Sequence, residues 1–138
     1  MRNHSALATR VLRIFIGRIE RELRRSAAAP AHARLGAASF LQRVGSALNE
    51  HWHHHCCLSD SVFAAATSQS LAFVFAAVGS DREARVQARV RLRVLAAYCR
   101  HGVLDEGAAA DMADREHEGG FPVDSSCAIA RQRASAKP

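Results

Sequence analysis

Apolar residues recur every four positions near the start of the chain and form one stripe of an amphipathic helix. The stripe contains Leu7, Val11, Phe15, Ile19 and Leu23. Arginines occupy the positions around it, and Pro30 cannot continue helical backbone bonding. The pattern predicts a helix over residues 6–25, whose arginine-rich face is either solvated or turned towards DNA.

Two later stretches have the short, apolar character of strands. Residues 35–44 precede a turn signal at Gly45-Ser46, and residues 72–76 are apolar and aromatic between polar clusters. Ser59-Asp60-Ser61 reads as a further turn, placed before Val62-Phe63. Each stretch therefore predicts a strand that ends at a turn.

Helical spacing returns after Asp81, which is a candidate cap. The predicted helix covers about residues 82–101, and Gly102 is its natural stop. Its apolar stripe is formed by Val86, Val90, Val94, Leu95 and Tyr98.

A short acidic helix capped by Asp105 is predicted to follow, as far as about Glu116. Gly119-Gly120 closes it, and residues 121–129 are a possible last strand. The whole order predicts an α+β fold in which amphipathic helices pack on an antiparallel sheet.

Half of the chain's eight histidines fall within residues 51–55, beside two of its four cysteines. On a helix, His51 and His55 would share a face, but Trp52 stands where a metalloprotease helix needs its glutamate. On a strand, side chains alternate, so His51, His53 and His55 point to one face and offer imidazoles to one ion. A structural zinc site and a chance surface cluster are the alternatives.

Charge is unevenly distributed along the chain. Residues 1–100 carry 15 arginines and 6 acidic residues, a net of +9, whereas residues 101–124 have a net of −6. A basic body suits a polyanionic partner such as nucleic acid, although an arginine-rich composition also arises from a GC-rich genome. The candidate DNA-contacting residues are Arg85, Arg89 and Arg93.

Composition excludes several classes of protein. No apolar run approaches the roughly 20 residues of a membrane span, and arginines interrupt the apolar start, so it is not a secretory signal. An organelle transit peptide is the minor alternative for that start. The cysteines show no C-x-x-C spacing and no secretory context, so we expect free thiols in a reducing cytoplasm.

A series of short blocks in one order resembles the two-tyrosine HUH transposases of the insertion-sequence 91 family, which act by rolling-circle transposition. The first block is residues 34–57, where a strand leads through Gly-Ser and Leu-Asn into alternating histidines. The later blocks, which include Val86-Gln-Ala-Arg-Val-Arg91, His101-Gly-Val-Leu-Asp105 and Gly119-Gly-Phe-Pro-Val-Asp124, extend the resemblance over roughly residues 6–129.

The resemblance implies an enzyme that nicks and joins single-stranded DNA at transposon ends through a phosphotyrosine link. It implies that His53 and His55 bind a divalent metal, magnesium or manganese, with His51 as a possible third ligand. It also implies a bacterial cytoplasmic protein, associated with the nucleoid when bound to DNA. The sequence does not indicate an oligomeric state.

The chain departs from that family in two places. At the position between the two metal-binding histidines the family has an apolar residue, but this chain has His54. The ring of His54 must therefore find a polar partner or loosen the strand. The family's two tyrosines, spaced by three residues, have no counterpart, because the one tyrosine, Tyr98, lies on an apolar stripe and is expected in the core.

We therefore expect a partial HUH-type domain over residues 1–129 and a divergent, disordered tail over residues 130–138, in a chain that is a truncated transposase and inactive in nicking by itself. The alternatives are a non-catalytic nucleic-acid-binding module and an unrelated helical protein with an adventitious histidine cluster.

Overall fold

A computed structural model describes residues 4–44, 50–67, 70–76 and 80–115. In chain order the elements are α1 (His4–Ser26), β1 (Arg34–Val44), β2 (Glu50–Thr67), β3 (Ser70–Phe75), α2 (Ser80–Arg100) and α3 (Glu106–Asp114). The predicted α+β class is confirmed, because the helices pack against an antiparallel sheet. The predicted last strand, the Gly45-Ser46 turn and the boundary at residue 129 lie outside the described residues.

The three strands form one antiparallel sheet in the order β1-β2-β3. The predicted strands over residues 35–44 and 72–76 are both present. The histidine stretch lies in the central strand, β2, and pairs with β1. His55 stands opposite Phe40, and His53 stands opposite Gln42. This pairing gives the histidines a strand geometry, as the alternation predicts.

The turn predicted at Ser59-Asp60-Ser61 is wrong, since β2 runs through these residues. Leu35 pairs with Val62 and Ala37 with Leu58, so three residues of β2 stand opposite Gly36 alone. The hydroxyl of Ser59 accepts a hydrogen bond from the Gly36 amide at 3.2 Å and donates one to the Ser61 carbonyl at 2.7 Å. The polar residues therefore build a β-bulge, which bends the strand without ending it.

One core lies between α1 and the sheet. The buried side chains of Leu23, Val62 and Ala64 meet there with Ala33 and Ala76, and Ile19, Leu35 and Val74 pack around them. Val62 and Val74 also pair directly across β2 and β3. Because side chains alternate along a strand, the residues next to these valines point to the opposite face of the sheet.

A second core joins α1 to α2. Val86, Val90 and Val94 are buried against Val11, Ile14 and Phe15 of α1, with Tyr98 packed at the end of the row. The predicted apolar stripes of both helices are therefore confirmed. Side-chain hydrogen bonds add to the packing: Arg82 donates to Ser26 Oγ, and Arg91 donates to the carbonyl of Met112 in α3.

Helix ends follow most of the predicted signals. Gly102 has a φ of +62° after the end of α2, a conformation that glycine adopts without steric cost. Asp105 caps α3, and its carboxylate accepts a hydrogen bond from the Ala108 amide at 2.8 Å. Asp81 lies within α2, which begins at Ser80, so it is a first-turn residue and the prediction that it caps the helix is wrong.

Within the described parts of the chain, no helix combines the length and the apolar character needed to cross a membrane.

Candidate functional site

The two faces of the sheet differ in what covers them. Helix α1 packs on the face that holds Val62, Val74 and Leu35. The opposite face, which we call the open face, is formed where β1 and β2 pair by Ala38, Phe40, Gln42, His53 and His55, as strand alternation and the observed register require.

His53 and His55 lie side by side on the open face. Their ring centroids are 4.8 Å apart with the planes at 70°, an edge-to-face arrangement. His55 is exposed, and its Nε2 lies 3.1 Å from the amide oxygen of Gln42, the residue opposite His53. Because an amide oxygen only accepts, this contact is a hydrogen bond in the His55 tautomer that carries its proton on Nε2.

His54 points the other way, into the helical layer. Its Nε2 lies 3.2 Å from the carbonyl oxygen of Ala8, and its Nδ1 lies 3.4 Å from the hydroxyl oxygen of Ser39. The same hydroxyl accepts a hydrogen bond from the Cys56 thiol at 3.4 Å. The polar ring at this position is therefore paired, so the alternative of a loosened strand does not arise.

His51 lies in β2, but its side chain is outside the described part of the structure. Among the side chains that are described, no group of three or more His, Cys, Asp or Glu residues converges to hold a metal ion. What the fold brings together from the predicted site is thus the pair His53 and His55.

Aromatic side chains extend the open face away from the histidines. Phe40, opposite His55, is 66% exposed, and Phe73 on β3 is exposed to the same fraction. Phe73 packs on Phe63 with ring centroids 4.6 Å apart. By strand rise, the chain from His55 to Phe63 spans at most about 26 Å along β2, so exposed aromatic side chains lie at both ends of this part of the open face.

Phe40 and Gln42 are site residues that the sequence analysis missed. Phe40 lies opposite His55 and Gln42 lies opposite His53 because β1 pairs with β2 in this register. Register depends on contacts between distant parts of the chain, and the chain has no local signal that assigns these two residues to the histidines.

Tyr98 lies in the second core and not on the open face. It packs against the Val86, Val90 and Val94 row, and burial raises the pKa of its phenol above the usual 10.0. A tyrosine in this position favours the neutral hydroxyl, which is a poor nucleophile. The expectation that Tyr98 is a core residue is confirmed.

The three predicted DNA-contacting arginines lie on α2 in the helical layer, and they differ in their surroundings. Arg85 forms an ion pair with Glu22 at 3.7 Å. Arg93 lines a groove between α1 and α2, and the charge of Arg89 acts on Arg18 in the same groove. None of the three is on the face that carries His53 and His55.

Comparison with known families gives one match. The family model described as "Putative transposase" matches residues 36–137, which include most of β1 and all of the histidine strand, α2 and α3. No curated protein and no solved structure matches the chain significantly. Because the matched region covers about three quarters of the chain and contains its histidine strand, the chain belongs to this transposase family.

Proposed function

We propose that this chain acts in DNA transposition by holding a divalent metal ion and single-stranded DNA on the open face of its sheet. The observation that carries the proposal is the pair of imidazoles of His53 and His55, with ring centroids 4.8 Å apart. They lie on the face of the sheet opposite the one on which α1 packs, as the described residues show. The family match supports transposition as the process. The metal, the single strand and the HUH mechanism of the insertion-sequence 91 type are the proposed details.

His53 and His55 fit a metal ion through the chemistry of their ring nitrogens. Two neutral imidazoles supply two ligands and leave further positions for water or substrate, as a catalytic ion requires. Magnesium takes oxygen ligands, so manganese is the better fit of the two expected ions. His51, two residues earlier on the same strand, is the proposed third ligand. A bound ion would supply positive charge that polarises and orients a DNA phosphate.

The exposed aromatics of the open face suit single-stranded rather than double-stranded DNA. Unpaired bases stack on aromatic rings with little dependence on sequence, and Phe40 and Phe73 each expose two thirds of their surface. A strand whose bases stack beside Phe40 would bring a phosphate near His55. The Arg89 and Arg93 side chains would act on DNA that reaches the helical layer.

A second candidate function is nucleic-acid binding without catalysis. The observation that favours it is the position of Tyr98, the sole tyrosine of the sequence, in a core rather than on the open face. With its hydroxyl there, the chain binds DNA but does not form a phosphotyrosine link by itself. In this candidate function the fold and the binding of DNA are the same, but no covalent step takes place.

Titration with manganese tests the metal site. Electron paramagnetic resonance detects free manganese, so binding is read directly and does not depend on activity. We expect the wild-type protein to bind one ion and the His53→Ala/His55→Ala variant to bind it at least about tenfold more weakly. A matched control removes two histidines elsewhere, His32→Ala/His101→Ala, and should bind as the wild type does. Equal binding by the wild type and the His53/His55 variant would refute the site.

Incubation with a labelled single-stranded oligonucleotide and manganese tests whether this chain forms a covalent link to DNA by itself. We expect binding without a covalent adduct after denaturing electrophoresis, in the wild type and in Tyr98→Phe alike. An adduct that Tyr98→Phe abolishes would show that Tyr98 leaves the core to react. If Phe40→Ala and Phe73→Ala leave the affinity for the single strand unchanged, the open face is not the binding surface.

A further inference from the structure

A groove between α1 and α2 concentrates positive charge on the helical layer. Of the described residues that line it, six are arginines and none is acidic: Arg10, Arg13, Arg18, Arg21, Arg93 and Arg100. Four of them belong to α1 and two to α2, so both walls of the groove are cationic. Gly17 and Ile14 lie between the arginines and leave the centre without a bulky polar side chain.

The acidic residues of α1 do not neutralise this groove. Glu20 forms ion pairs with Arg24 at 3.1 Å and with Arg34 at 3.6 Å. Glu22 lies 3.7 Å from Arg85 and 4.0 Å from Arg25. Both carboxylates therefore have arginine partners that do not line the groove.

The pKa of Arg18 reflects the repulsion between the arginines of this region. Partial desolvation lowers the pKa of its guanidinium, and the charges of Arg93, Arg21, Arg89 and Arg25 lower it further. Like charges that are held close together without counter-ions raise the free energy of the folded state. A bound polyanion would relieve this cost.

We infer that the groove between α1 and α2 binds the sugar–phosphate backbone of double-stranded DNA without reading its bases. This inference goes beyond the proposed function, because His53 and His55 face away from the helical layer. The protein would thus hold single-stranded DNA on its sheet and an adjoining duplex on its helices.

The composition of the groove favours a duplex over a single strand. Single-strand sites combine basic residues with aromatic side chains for base stacking, but the described residues that line this groove include no aromatic. Guanidinium groups form bidentate contacts with phosphates. Phosphates remain accessible when bases are paired and stacked, so a groove whose described charged residues are all arginines suits a duplex.

The length of the groove fits a short stretch of duplex. Arg10 and Arg21 stand eleven residues apart on α1, about 16 Å at 1.5 Å per residue. That length equals the rise of about five base pairs at 3.4 Å each. Arg93 and Arg100, about 10 Å apart on α2 by the same rise, can then contact the backbone from the second wall.

Gly17 makes a sharp test possible, because a Cβ atom built there meets nothing within 4 Å. Gly17→Glu therefore introduces a carboxylate into the groove at a position with open space around Cβ, and Gly17→Ala is its neutral control. We expect Gly17→Glu to weaken binding to a random-sequence 20-base-pair duplex about tenfold in fluorescence anisotropy, with Gly17→Ala unchanged. Ala110→Glu, on the exposed surface of α3, makes the same charge change away from the groove and should bind as the wild type does.

Salt dependence gives a second, independent reading. Each phosphate contact that is lost lowers the slope of log K against log salt by about 0.9. Arg13→Gln/Arg18→Gln should therefore reduce the slope by about two and should weaken duplexes of every sequence alike. Circular dichroism checks that each variant is folded.

Duplex binding that Gly17→Glu and Arg13→Gln/Arg18→Gln leave unchanged would overturn the inference. So would equal losses for a single strand and a duplex, or losses seen only with vesicles of an anionic phospholipid. The His53→Ala/His55→Ala variant should retain duplex binding, and Gly17→Glu should retain manganese. Failure of the metal site and failure of the groove are thus separate outcomes.

Discussion

The imidazole of His54 reaches from the central strand to the first helix, with its Nε2 3.2 Å from the carbonyl oxygen of Ala8. The two residues are 46 positions apart in the chain, so the contact joins β2 to α1. Its neighbours His53 and His55 occupy the other face. Of these three successive histidines, His54 thus has a structural position, and His53 and His55 form a candidate metal site.

This division predicts that stability and metal binding can be separated. His54→Ala should lower the free energy of unfolding by about 1–2 kcal/mol, because a half-buried ring loses its hydrogen bond to α1. His55→Ala, at an exposed position, should change it by less than about 0.5 kcal/mol. Urea denaturation measures both. Manganese affinity should show the reverse order, with the larger loss in His55→Ala. Equal destabilisation by the two substitutions would contradict the assignment.

The core between α1 and the sheet predicts a strong effect at Leu23, which is only 2% exposed. Leu23→Ala should cost about 2–5 kcal/mol, because removal of its side chain loses apolar burial and leaves a cavity. Leu92→Ala on α2 is the matched control, since Leu92 is 57% exposed and should cost less than about 0.5 kcal/mol. Denaturant midpoints of the two variants give the comparison. A small loss in Leu23→Ala would show that α1 does not depend on this contact.

Two glycines predict changes of opposite sign. Gly17 lies within α1 with open space at its Cβ position, so Gly17→Ala should stabilise the protein by about 0.5–1 kcal/mol. Gly102 has a φ of +62°, which costs an L-residue about 1–2 kcal/mol, so Gly102→Ala should destabilise by about that amount. Thermal unfolding measures both shifts. Stabilisation by Gly102→Ala would mean that the turn after α2 does not need the left-handed conformation.

The half-buried phenol of Tyr98 predicts a loss of stability in alkali. Its folded-state pKa lies above the usual 10.0, so as pH rises beyond 10 the unfolded chain releases this proton first. The stability that the neutral phenol contributes is therefore complete below pH 10 and is lost as pH rises through the folded-state pKa.

Tyr98→Phe should remove this part of the pH dependence. The difference in free energy of unfolding between the wild type and the variant should be constant from pH 7 to 9 and should change above pH 10. Urea denaturation at each pH, with the cysteines kept reduced, measures the difference. Parallel curves throughout would indicate that the Tyr98 hydroxyl is solvated in the folded protein.

Local patterns in the sequence were sufficient for most of the secondary structure and for the metal-binding candidates. Apolar residues at four-residue spacing determine the buried sides of α1 and α2, because a helix turns every 3.6 residues. Alternation along a strand places His53 and His55 together, since every second side chain shares a face. The cap at Asp105 and the stop at Gly102 are equally local.

Only the tertiary structure decided which distant residues complete each site. The Ser59-Asp60-Ser61 segment is a bulge and not a turn, because β1 pairs across it and leaves Gly36 opposite three residues. The same pairing brings Gln42 and Phe40 to the histidines, and the packing of α1 on α2 gathers six arginines in one groove. These relationships depend on strand register and helix packing, which are properties of the whole fold rather than of any short segment.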